Sequence, residues 1–235
     1  MPIRIIIEDH VVPQLLTSAI EAYEFEHCSH ADGKGQTKLE TAGLLWGYVQ
    51  PARGDQPPRI VATMATVETS ALRHQNWVQM DWDAVREKRN FITRFWPNIE
   101  LVGTFHTHPY DSRSEVVALK GWRASNEHTV EEGEGDEGMW PAFHDDVAAD
   151  MPYLAHLIVT ITGLGKSGWA LPERFEGNTG YKLSVDKRRF WIKGYVTENV
   201  SSQLRETGIP DIEQEVSFVQ KDIQLDIPSL ERRFA

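Results

Sequence analysis

The sequence predicts an α+β fold in which strands outnumber helices. Three observations carry this. Short aliphatic and β-branched runs recur along the 235 residues, at 3–7, 43–49, 59–67, 99–105 and 156–162. Two stretches between them hold apolar residues at helical spacing. A turn rich in glycine and proline, residues 51–58, joins two of the runs as an antiparallel pair.

Residues 3–7 form the first strand. Asp9 then stands where a side chain can cap a helix, and Val11, Val12, Leu15, Leu16, Ile20 and Tyr23 give that helix one apolar stripe. A polar, glycine-containing segment, 28–38, separates it from the hairpin 43–49 and 59–67. Asp81 or Asp83 starts a second helix with Val85, Phe91, Ile92 and Phe95 on its inner face, ending at Trp96-Pro97-Asn98. The next strand ends in His106-Thr107-His108-Pro109, where proline, having no N–H for a ladder, is expected to stop it. Residues 110–138 are long, polar and irregular, which reads as an insertion. Residues 143–151 allow at most two helical turns before Pro152, and 156–162 is a buried strand. Trp169, 181–185 and 190–196 supply further short strands. The last part, 201–235, reads as a helical arm on the loose pattern of Ile212, Val216, Phe218 and Val219. The chain divides into 1–165, with an insertion at 110–140, and 166–235 packed on it.

The formal charge is −11. Affinity for nucleic acid comes largely from clustered Lys and Arg, so a phosphate backbone is not the expected partner, and Lys187-Arg188-Arg189 and Arg232-Arg233 read as solvated surface. The acid run 131–138 reads as a self-repelling loop. No apolar stretch is long enough to cross a bilayer and the first residues lack the parts of a signal peptide, so neither a membrane nor export is expected and the cytoplasm is the default.

Chemistry concentrates at the histidine strand. Side chains two apart on a strand point the same way, so His106 and His108 present both imidazoles together. With one cysteine, Cys28, no disulfide or thiolate cluster can form within the chain, and any metal must be held by His, Asp and Glu. A third ligand is offered by Asp145 or Asp146. Glu40, just before the 43–49 strand, is placed to move a proton. His128 and His144 read as solvent-facing, His156 as a hydrogen-bonded core residue, and Trp122 and Trp140 as the tryptophans nearest a substrate.

Taken together, Glu40-Thr41-Ala42-Gly43-Leu44-Leu45-Trp46-Gly47, then Gly103-Thr104-Phe105-His106-Thr107-His108-Pro109, then an acid before a Leu-Ile-Val strand, resemble the JAMM/MPN (JAB domain) metallopeptidase family, and in particular its prokaryotic, deubiquitinase-like branch. The resemblance covers about residues 3–161. It implies a cytidine-deaminase-like mixed sheet flanked by helices. It also implies one Zn2+ on His106, His108, an aspartate and water, with Glu40 as general acid and base. Asp146 is preferred as that aspartate because Val147, Pro152 and Leu157-Ile158-Val159 follow it in the register of short bacterial relatives. The family's serine position then falls on Phe143, or on Ala142 if Asp145 is the ligand, and neither side chain can donate a hydrogen bond. Ser112, Ser114, Ser125 and Asn126 in the insertion are candidates to replace it. The resemblance further implies cleavage after the C-terminal tail of a ubiquitin-like protein, bound as an added strand. The 59–67 neighbourhood would offer the edge and the 110–114 neighbourhood the flap. Partners would be ubiquitin-like conjugates, with activating and conjugating enzymes of a bacterial antiviral defence operon. The alternatives are a non-catalytic MPN scaffold and a zinc hydrolase of a small amide.

Overall fold

The structure, a computed structural model, describes residues 2–27, 34–125, 135–199, 217–219 and 222–232. Cys28, Asn126, His128, the first half of the acid run (131–134), Ile212 and Val216 lie outside the described residues. The fold is α+β, built on one large mixed sheet.

β1 (Ile3–Ile7) alternates buried and half-buried residues, as a strand with one fully covered face does. α1 (Val11–Glu24) buries Val11, Val12, Leu15, Ala19, Ala22 and Tyr23 along one stripe and packs across the sheet. Its cap differs from the expectation at Asp9. The capping position is His10, whose side chain makes no capping bond, and the Val11 N–H donates instead to the Glu8 carbonyl at 2.9 Å. β2 (Ala42–Gln50) and β3 (Arg59–Val67) pair antiparallel across the expected turn. A small hairpin follows, β4 (Leu72–Arg73) with β5 (Val78–Gln79). Asp81 caps α2 (Trp82–Phe95), its carboxylate accepting the N–H groups of Asp83 and Ala84. The inner face of α2 is narrower than its apolar pattern suggests: Val85 is buried, but Phe91 and Phe95 are 57% and 60% exposed, their rings in tilted contact at 5.0 Å.

β6 (Glu100–Tyr110) runs on through Pro109 rather than stopping there. The Thr107 N–H reaches the Thr41 carbonyl at 2.9 Å, just before β2. The nitrogen two residues on faces the same side, beyond the last β2 partner, so proline forfeits no ladder bond there. On the other flank β6 pairs in parallel with β7 (Tyr153–Phe175) as far as Tyr110.

α3 (Arg113–Leu119) and α4 (Asp136–Asp146) lie between them in sequence. α4 thus begins and ends earlier than the helix expected over 143–151, and it contains Pro141. The short strands expected after residue 162 are parts of two long ones, β7 and the antiparallel β8 (Gly180–Asn199), whose register breaks between Gly163 and Gly168 and between Ala170 and Glu173.

The C-terminal region is not a helical arm where it is described. β9 (Ser217–Val219) pairs with β8, β10 (Ile223–Asp226) pairs in parallel with β1, and α5 (Pro228–Arg232) is a short helix after it. The strand order is β10-β1-β3-β2-β6-β7-β8-β9. Residue 165 lies inside β7, so the strands on either side of it share one sheet. β2 pairs β3 along its length, but β1 covers only Arg59–Ala62; beyond that the same flank is met by side chains, the Ala65 N–H donating to Gln14 Oε1 at 2.8 Å and His10 reaching the Thr63 carbonyl. No helix among the described residues is long and apolar enough to cross a membrane.

Candidate metal centre

Strand register assembles most of the site. Ala42 of β2 lies opposite His106 of β6. One step on, Thr41 and Thr107 are tied twice: the Thr107 N–H donates to the Thr41 carbonyl and the Thr41 N–H to Thr107 Oγ1, both at 2.9 Å. The next step sets Glu40 opposite His108. Because residues two apart share a face, Glu40, His106 and His108 emerge together. The Glu40 N–H is held by the His74 carbonyl at 2.7 Å, at the turn of the β4–β5 hairpin.

The carboxylate that meets the imidazoles is that of Asp136, the first residue of α4. His106 Nε2 stands 2.9 Å from His108 Nε2 and 3.1 Å from Asp136 Oδ1, and His108 Nε2 stands 3.6 Å from Asp136 Oδ2. Ligand atoms at ~2.0–2.2 Å from a tetrahedral ion lie roughly 3.3 Å apart, a value these spacings bracket. Asp146, the ligand expected from sequence, is exposed at the opposite end of α4, about 15 Å along the helix at 1.5 Å per residue, and Asp145 is exposed beside it. The helix ends where the sequence pattern predicts one to begin. Phe143, expected at the serine position, is a buried packing residue whose ring lies 4.8 Å from that of Trp82.

The charges are mutually dependent. Burial pushes the Glu40 carboxyl up to about 7 against the opposing pull of His108 and His106. Burial alone would raise Asp136, but the two imidazoles hold its carboxyl well below the usual range. Burial works to lower His108, and the bonds to Asp136 and the Gly121 carbonyl with the fields of Glu40 and Asp136 overcome it and carry the imidazole up to about 9. His108 Nδ1 donates to the Gly121 carbonyl at 2.9 Å, which leaves Nε2 as the ligating atom.

These groups line one end of a cleft of about 460 Å³, with Trp77, Leu119 and Met139 among its other walls. Of the serines considered from sequence, Ser125 lines this cleft, whereas Ser112 caps α3 and bonds to Ser114 at 2.9 Å. Trp140 stacks on His156 at 4.5 Å, and Trp122 donates to Glu176 at 3.0 Å. His144 is buried rather than solvent-facing. It and His156 both reach Thr197 Oγ1 at 2.9 Å, and His156 reaches Thr104 Oγ1 at 2.8 Å. A usable signal for Asp136 did exist: Met139, Trp140 and Phe143 follow it at helical spacing.

His106, His108 and Asp136 thus form a group that could hold a metal ion. Glu40 stands beside it. Compared with known proteins, the chain matches no family model and no curated sequence.

Proposed function

We propose that the protein is a zinc-dependent peptidase or isopeptidase that cleaves after the C-terminal tail of a ubiquitin-like protein. The observation that supports this best is the convergence of three metal-type donors and one further buried carboxylate, Glu40, on a single face at the end of an open cleft. His106, His108 and Asp136 would hold the ion. Bound there, zinc acidifies water and polarises an amide carbonyl. Glu40 sits outside the donor group but next to it, where a carboxylate can take a proton and return it to a leaving amine. With His108 Nδ1 turned to the Gly121 carbonyl, Nε2 is the atom that would meet the ion, and the low-lying Asp136 carboxylate stays ionised. Trp77 and Leu119 supply apolar contact for an extended peptide lying in the cleft.

The test is cleavage of a panel of ubiquitin-like fusions by zinc-loaded wild type and by Glu40→Gln. Product from wild type and a loss of about 10²-fold or more in the variant are expected. If no fusion is cut and the variant behaves like wild type, the enzyme reading fails and a binding scaffold takes its place.

A further inference from the structure

Two of the three donors are held by one short stretch of chain, residues 121–125. At one end the Gly121 carbonyl accepts from His108 Nδ1 at 2.9 Å. At the other, Ser125 and Asp136 are bonded reciprocally: the Ser125 N–H donates to Asp136 Oδ2 at 2.7 Å, and the Asp136 N–H donates to Ser125 Oγ at 2.8 Å. This is the pattern of a capping box, in which a serine oxygen receives a first-turn N–H while an acid reaches back to the serine's own N–H. Here the two halves stand far apart in sequence. The capping position of α4 is Gly135, which has no side chain to offer, and Ser125 supplies the missing oxygen from outside the helix.

The stretch is itself fixed to the sheet. Thr160 Oγ1 donates to the Gly121 carbonyl at 3.0 Å, Trp122 and Arg123 donate to Glu176 at 3.0 and 2.7 Å, and the Ala124 N–H donates to the Tyr195 hydroxyl at 2.8 Å. Gly121 lets the Tyr110 ring lie close, since a Cβ there would stand 2.4 Å from it and the ring would have to shift.

We infer that Ser125 is a positioning residue for the metal: through its paired bonds it holds Asp136 at the two histidines, and residues 121–125 form one brace for both the carboxylate and an imidazole. The inference rests on the metal-binding part of the proposed function and not on any particular substrate. The test is Zn2+ affinity by competition with a chelator, together with the visible spectrum of the cobalt(II)-loaded protein, for wild type, Ser125→Ala and Ser125→Thr. Loss of an outer-shell partner costs metal affinity ~10- to 100-fold, so S125A should bind that much more weakly with an altered cobalt spectrum, and S125T, which keeps the hydroxyl, should recover most of the loss. Unchanged affinity and spectrum in S125A would overturn the inference. Tyr195→Phe, which leaves Ser125 in place and frees the Ala124 N–H, is the second variant. It should weaken binding several-fold, and wild-type affinity there would overturn the brace even if S125A does not fold. Wild type that binds no metal would instead sink the proposed function. Wild type that binds metal without cleaving any fusion leaves this inference standing.

Discussion

Asp136, half-buried, and Glu40, buried, are carboxylates lining the same cleft, yet their surroundings assign them different work. Asp136 is pulled into ionised form by two imidazoles, while Glu40 is pushed up by burial to about 7. Asp136→Asn should therefore weaken zinc binding by more than about 100-fold, beyond what loss of an outer partner costs, whereas Asp146→Asn should leave it unchanged. Metal content after dialysis against chelator distinguishes them. Glu40→Gln should retain its metal while losing turnover. His106 and His108 were legible in sequence because strand periodicity puts them on one face, and Glu40 from its place just before the 43–49 strand and from the family resemblance, though not its register against His108. Asp136 was not, because it stands in a run of acids whose composition reads as a solvated loop, and because Pro141 five residues on, lacking an N–H for the ladder, argues against the helix that carries it.

At the level of elements, α4 is docked through a buried polar chain. His144 on α4 and His156 on β7 share Thr197 of β8, and His156 reaches Thr104 of β6, two residues before the first ligand. Burial holds the His144 imidazole down to about 4 and, with His144 and His106 nearby, holds His156 well below its ordinary value. Both are neutral in the folded protein at pH values where the unfolded chain has begun to take up protons. The stability they contribute is thus fully present above about 6.5 and is lost as the pH falls toward 4. Denaturant titrations across that range should show a decline on the order of 3 kcal/mol from His144 alone. The decline should be shallower in His144→Gln. Strands β1, β2, β3 and β6 were legible from their apolar runs. The long reach of β7 and β8 was not, because glycines and charged residues interrupt the pattern where the pair bends. On α2 the helix itself was legible, but periodicity cannot tell which apolar face is covered, and Phe91 and Phe95 stand exposed.

For the molecule as a whole, the parallel pairing of β10 with β1 closes one side of the sheet. Arg4 and Arg174 both bond Asp226, at 2.9 Å each, and Ile223, Leu225, Ile227 and Leu230 are buried in the common core. Each such side chain contributes ~1.5–3 kcal/mol by burial, and together they rival the whole stability of an ordinary domain, about 5–15 kcal/mol. A chain truncated before residue 222 should therefore lose its cooperative thermal transition by calorimetry. This pairing was the least legible feature, since parallel contacts between strands some 220 residues apart leave no local mark. It also sets a timetable. A ribosome makes β1 well before residues 223–226, on which that strand's outer flank waits, so until they emerge the nascent chain exposes an unpaired row of backbone donors and acceptors to whatever chaperone or neighbouring polypeptide is at hand.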